Sequence, residues 1–260
     1  MAILKNDIHT LANLKNEQFK SIQNERDDMA DMLSNISHQL KTPLTSMMIM
    51  ADLLDNAPPE KQEEFLSNIK ISLVRMDWLV SALLKMAKLD AGAVEFSKKS
   101  IHAGTLVDLA LKPLQIMLDI KNINIETVCE TGLYCDKRWT AEALTNIIKN
   151  ALEYSPDNSK IYIESGVNPI CGWISVTDSG VGISNSEIAA LFKRFTGSRS
   201  DKGYGIGLPL ALAIMRGQSG DIEVDGGGGG GTGKSTGFSI SSGMGTGTGS
   251  GATFTMKFYK

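Results

Sequence analysis

Hydrophobic positions in the first ninety residues recur at helical spacing. Leu4, Ile8, Leu11, Ile22, Met29, Leu33, Ile36 and Leu40 fall mostly on alternating three- and four-residue steps, with polar Lys15 and Arg26 interrupting the seam. This is a coiled-coil stripe, and its length without a local partner predicts a dimer. The helix is expected to run to about Leu54 and stop before Asn56-Ala57-Pro58-Pro59, because paired prolines cannot continue it. A second helix follows, with Phe65, Ile69, Leu73, Met76, Val80, Leu83 and Met86 assigned to one face, ending near Asp90-Ala91-Gly92. Two such helices make half of a four-helix bundle, and a second copy supplies the other half.

After Gly92 the period changes. Strand-like segments 123–128, 160–165, 172–178, 221–224 and 252–259 alternate with helical patterns over 139–155 and about 208–215. Mixed elements of this kind predict a two-layer α/β domain. The chain therefore divides into an entry helix (1–30), a helical hairpin (31–92) and an α/β domain (98–260). Residues 226–251 hold 13 of the 26 glycines and read as a loop, because they offer no apolar surface to offset their ordering entropy.

Composition narrows the function. Among 260 residues, 26 Lys and Arg face 29 Asp and Glu, a net charge of −3, so no basic excess exists to displace counterions from nucleic acid. No run of about 18 apolar residues predicts a membrane span, and no signal peptide opens the chain. The chain is expected in the cytoplasm, and any membrane attachment is expected through a segment absent from this chain. Cys129, Cys135 and Cys171 lack C-x-x-C spacing and read as reduced thiols. His9 and His102 read as surface histidines.

Candidate chemistry gathers at four places. His38 sits mid-helix between apolar Ile36 and Leu40, and Pro43, five residues on, deletes a backbone hydrogen bond and is expected to bend the helix just beyond it. Asn146 and Asn150 lie four apart on one helical face, where their amide oxygens can converge on a metal-bound polyphosphate. Asp178-Ser179-Gly180-Val181-Gly182 follows a strand and presents a carboxylate beside a tight glycine turn, suited to accept from the amino group of a base. Gly203-Tyr204-Gly205-Ile206-Gly207-Leu208 opens a helix, where bare N–H groups favour phosphate.

The order of these segments resembles the cytoplasmic core of a two-component sensor histidine kinase, a HisKA-type dimerisation and phosphoacceptor domain followed by a GHKL-type ATP-binding domain. The resemblance rests on SHQLKTPL (37–44), NIIKNALEYSP (146–156), DSGVG (178–182), LFKRF (191–195) and GYGIGL (203–208). It implies that His38 takes the γ-phosphate of ATP and passes it to an aspartate on a response regulator receiver domain. Asn150 would ligate Mg²⁺, with Asn146 beside the phosphates. Asp178 would recognise adenine, with Gly180 and Gly182 letting the backbone approach. Gly203, Gly205 and Gly207, leading into Leu208, would close the phosphate end of a lid over about 184–204 that carries Phe192 and Phe195. Thr42 matches the position linked in this family to dephosphorylating the partner. The implied fold is a helical hairpin, forming a four-helix bundle in the homodimer, and a two-layer α/β sandwich.

Three departures stand out. The family places Glu or Asp directly after the histidine, and this chain has Gln39, which can accept and orient but carries no charge. Where a basic residue is common, this chain has Glu153; Lys149, Lys193, Arg199 and Lys202 are the cations able to compensate, Lys149 being the one within the asparagine helix. Gly228, Gly233, Lys234 and Ser235 satisfy a P-loop pattern, but the glycine-rich sequence after them cannot form the required helix. Two alternatives therefore accompany the kinase reading. One is a weak kinase acting as an ATP-binding scaffold or phosphatase. The other is a GHKL ATPase, disfavoured because the position of its glutamate base is Asn146, an amide.

Overall fold

Helix α1 runs unbroken from Ala2 to Leu54, straight through Pro43, and α2 from Pro59 to Asp90. The computed structural model describes residues 2–54, 57–195, 205–227 and 251–259, with the backbone and few side chains over residues 2–32. Pro59 stands at the first position of α2, where a missing N–H has no partner to lose. The amides of Lys61 and Gln62 reach the Pro58 carbonyl, and Gln62 Nε2 donates to the Ala57 carbonyl at 2.9 Å. At the other end Gly92, in the left-handed region (φ +62°), donates to Leu89 O, and Ala93 donates to Lys88 O. That pair of bonds is a Schellman cap.

The coiled-coil side chains Leu4, Ile8, Leu11, Ile22 and Met29 lie outside the described ones. Along α2 a single protomer covers only part of the expected line. Leu79, Ala82 and Met86 are buried, whereas Leu73 and Val80 face outward. The helix is apolar on more than one side, and periodicity alone cannot rank two apolar faces.

The chain divides into two compact units, one ending at Leu79 and the other beginning at Val80, inside α2. The second contains β1 (Lys98–His102), α3 (Ala103–Leu111), α4 (Gln115–Lys121), β2 (Asn124–Val128), β3 (Gly132–Asp136), α5 (Lys137–Tyr154), β4 (Lys160–Val167), β5 (Cys171–Thr177), α6 (Asn185–Leu191), α7 (Gly207–Gly217), β6 (Gly220–Asp225) and β7 (Thr253–Tyr259). A five-stranded sheet runs β2-β4-β5-β7-β6, parallel between β2 and β4 and antiparallel elsewhere; β1 and β3 pair separately.

The sheet follows the alternation of its residues. Ile161 and Ile163 of β4, Ile174 and Val176 of β5, and Phe254 and Met256 of β7 are buried, as a period of two dictates for a sheet with one face on a core. Helix α5, packed against α3 and α7, contributes Leu144, Ile147, Ile148, Ala151 and Leu152 to that core. Two ion pairs hold the last turns of α2 to this unit. Lys85 meets Glu142 of α5, and Arg194 grips Asp90 with both guanidinium nitrogens at 2.7 Å.

Candidate nucleotide site and phosphoacceptor

Helix α5 is fixed at its start by Asp136. One carboxylate oxygen accepts from the amides of Arg138 (2.9 Å) and Trp139 (3.1 Å), and the other accepts from Ser97 N at 2.9 Å. This cap satisfies donors that the first turn leaves bare. It sets the rotation of α5 so that Asn146 is buried within an otherwise apolar face, its amide donating to the Glu142 carbonyl at 3.0 Å. One turn on, the Asn150 amide nitrogen is buried with no partner among the described residues. An unmatched buried amide costs about 1–3 kcal/mol, so the position suits a polar ligand. A flip of the amide presents either an N–H to a phosphate oxygen or an oxygen to a cation.

Asp178 follows β5 and is 5% exposed. Its Oδ1 accepts from Gly180 N at 2.8 Å and Ala252 N at 3.1 Å. Burial pushes the carboxyl above the usual carboxylate range, and the two backbone N–H groups pull it part of the way back. The turn beyond it needs glycine for a steric reason. A Cβ at Gly180 would stand 2.9 Å from both Asp178 Oδ1 and the Tyr154 carbonyl oxygen.

The start of α7 completes the site. A Cβ on Gly207 would lie 3.1 Å from Asn146 Oδ1, so helix start and asparagine are in contact. Gly182 (φ +77°) and Gly205 (φ +64°) adopt the left-handed region, where other residues are strained. Leu208 is buried in the core behind the helix start. Gly203, Arg199 and Lys202 lie outside the described residues, as do Gly228, Gly233, Lys234 and Ser235. Lys149 stands 3.9 Å from Glu153, one turn along α5, with the Glu153 side chain only 13% exposed.

His38 belongs to the other unit. It is exposed on α1 and lines an open groove of about 450 Å³ with Lys41, Thr42, Thr45, Ser46 and Ile49. Thr42 donates its hydroxyl to the His38 carbonyl at 3.2 Å, and Gln39 is half-buried.

Sequence reasoning missed two features around the candidate site. Ala252 supplies an N–H to Asp178, and a Cβ on Gly251 would overlap the Asp178 carbonyl oxygen; a glycine directly before the final strand was the available signal. Lys121, at the end of α4, donates to three backbone carbonyls at the end of α5, for which no sequence pattern exists.

Two families match in succession. The His Kinase A (phospho-acceptor) domain covers residues 28–92, and the Histidine kinase-, DNA gyrase B-, and HSP90-like ATPase covers residues 135–259. The chain belongs to the sensor histidine kinases of two-component systems. It is 30% identical over 186 residues to the sensor histidine kinase WalK of Bacillus subtilis, a match covering 69% of this chain and 30% of that protein. The chain thus spans less than a third of the length of that relative. In fold it is similar to the Acinetobacter baumannii histidine kinase AdeS (23% identity, TM-score 0.64, covering 85% of this chain and 97% of that one). It is also similar to the histidine kinase ThkA in its complex with the response regulator protein TrrA (18% identity, TM-score 0.65, covering 88% and 61%).

Proposed function

We propose that the chain catalyses ATP-dependent phosphorylation of its own His38 and passes the phosphoryl group to an aspartate of a response regulator. The observation that carries this reading is the nucleotide site. On α5, buried Asn146 contacts the start of α7, and one turn on the Asn150 amide lacks a partner; near the end of that helix the Tyr154 carbonyl closes on the turn after Asp178. A carboxylate for a base amino group and amides for phosphates thus frame one nucleotide.

In the transfer, a ring nitrogen of His38 forms a bond to the γ-phosphorus while the bond to the β–γ bridging oxygen breaks, releasing ADP. Such a reaction is mainly positioning and charge stabilisation. Asp178 orients the base, and Asn146 and Asn150 hold the phosphates. Exposure of His38 leaves the imidazole open to an incoming phosphate, and Gln39 offers a carbonyl to orient the ring without a charge to balance it. Mg²⁺ fits a site with Asn150 as its protein ligand, because this ion takes much of its shell from phosphates and water; when bound it neutralises charge on the β- and γ-phosphates. Asn146, an amide bonded to Glu142 O, is no base for activating water, which works against an ATPase.

A homodimer follows from the helices. Leu44, Met48, Ile49 and Leu53 of α1 and Leu66, Leu73 and Val74 of α2 are exposed, large apolar side chains that a second copy would cover. The ThkA–TrrA complex is the precedent for a receiver domain as partner. Among the described residues no helix is long and apolar enough to cross a membrane.

The test is incubation of the chain with γ-labelled ATP and Mg²⁺ beside a His38→Gln control. Acid-labile, alkali-stable label on the wild type alone is expected. No label despite ATP binding would overturn the kinase reading in favour of a scaffold or phosphatase, and a dimer mass by light scattering checks the assembly.

A further inference from the structure

The end of α5 is gripped from outside the nucleotide site. Lys121 Nζ donates to the carbonyls of Leu152 (2.7 Å), Glu153 (3.3 Å) and Ser155 (2.8 Å), using one ammonium on a helix C-terminus where charge and dipole both favour it. The neighbouring corner is tied down as well. Asn158 N donates to Lys121 O at 2.9 Å, and Asn122 Nδ2 donates to Asn158 Oδ1 at 2.7 Å. Both asparagines have left-handed backbones, with φ of 51° and 60°.

The gripped turn touches the adenine side of the site at two points. Tyr154, whose carbonyl sits in sequence between those Lys121 holds, places that oxygen 2.9 Å from where a Cβ at Gly180 would stand. Ser155 Oγ accepts from Ser179 N at 3.3 Å, and Ser179 Oγ donates to Lys160 O at 2.5 Å. Gly180 N in turn holds Asp178 Oδ1. An unbroken line of bonds and contacts therefore runs from Lys121 through the last turn of α5 to the Asp178 carboxylate. The same helix carries Asn150 four residues before Tyr154.

We infer that Lys121 is a positioning residue of the nucleotide site: by holding the last turn of α5 it sets the spacing between Asn150 at the phosphate end and Asp178 at the base end. This rests on the reading of that site as an ATP site. A plain helix cap would be satisfied by one carbonyl and would influence stability alone. A spacer also influences base selection, because small displacements of a binding group weaken recognition steeply.

The test compares equilibrium binding of ATP and GTP to the full chain as wild type, Lys121→Met and Lys121→Arg, well below each melting temperature. Lys121→Met is expected to bind ATP about tenfold more weakly and to lose most of its preference for ATP over GTP. Its turnover at saturating ATP should stay within about twofold of wild type, since the interaction lost serves ground state and transition state alike. Lys121→Arg should restore both constants. A lowered melting temperature with unchanged ATP and GTP constants would overturn the inference alone. No ATP binding by the wild type would overturn the ATP-site reading and the inference with it. Should the methionine variant fail to fold, Lys121→Gln, too short and uncharged to span the three carbonyls, is expected to shift both constants in the same direction and is read the same way.

Discussion

Thr42 donates its hydroxyl to the carbonyl oxygen of His38, 3.2 Å away and one helical turn earlier. That carbonyl already accepts the backbone amide of Thr42 in the helix ladder, so the side-chain bond is a second and dispensable one. The hydroxyl can leave it to hold a water in the groove that both residues line. Thr42→Ala should therefore reduce dephosphorylation of the regulator at least about tenfold while changing His38 phosphorylation less than threefold. Following labelled regulator and labelled kinase in parallel checks this; an equal loss of both would show that Thr42 serves the helix instead.

Gln39 is the neutral counterpart of an acid beside His38. Gln39→Glu places a charge opposite the imidazolium-like species that develops during transfer, and should raise the autophosphorylation rate about fivefold. An unchanged or lower initial rate at saturating ATP would remove Gln39 from the account of the reaction.

Asp178 separates stability from binding. Its carboxyl is held above the ordinary value of 3.8 chiefly by burial, so the folded protein binds this proton more tightly than the unfolded chain. Its contribution to stability therefore falls as pH rises from 3.8 through the raised folded value. Asp178→Asn keeps an Oδ1 for Gly180 and Ala252 and removes the buried charge, so it should melt no lower than wild type at neutral pH. The same change presents an N–H₂ to a base amino group and should weaken ATP binding roughly 30-fold or more. Wild-type affinity should also fall more steeply than the variant's as the pH is lowered into that window, the titration of ATP itself being common to both. Calorimetric titrations of wild type and variant in parallel, from neutral pH downward, taken with melting curves, check both.

Two glycines of the site should respond differently to alanine. At Gly180 the new Cβ meets the Tyr154 backbone at 2.9 Å, which cannot yield without moving the end of α5; a loss of about 2 kcal/mol and of most ATP binding is expected. At Gly207 the nearest atom is the tip of the Asn146 side chain at 3.1 Å. Alanine also favours a helix over glycine by about 1 kcal/mol. Gly207→Ala should therefore be as stable as wild type, with ATP binding weakened only a few-fold.

Much of this was legible in the chain itself. Helix ends at Leu54 and Asp90 follow from Pro59 and Gly92, and the four-residue spacing of Asn146 and Asn150 puts both amides on one side of α5. The strands read well where alternation was long, as in β5 and β7. Strands β1 and β3 went unread because KKSIH and GLYCD are five residues each and pair only with each other. Helices α3, α4 and α6 are seven to nine residues long, too short for a period of 3.6 to declare itself. On α2, Leu73 and Leu79 are equally apolar, and only tertiary contact shows which of them a single protomer buries. The Lys121 grip joins residues more than thirty positions apart through backbone carbonyls, which every sequence possesses.

Strands β6 and β7 pair in register from Gly220 opposite Phe258 to Asp225 opposite Thr253. Just past that last pair, Gly226 O accepts from Ile183 N, and Ala252 N is bound to Asp178. The neck of this hairpin is thus sealed on both sides by bonds that need nothing from residues 228–250. Chain closing such a neck can be exchanged at small entropic expense. The position is accordingly a grafting port: a short turn, or an entire guest domain with adjacent termini, can be spliced there without disturbing the sheet. Because one lip of the port is Ala252, whose N–H is bound to Asp178, a guest that tightens on its own ligand is expected to pull on that carboxylate.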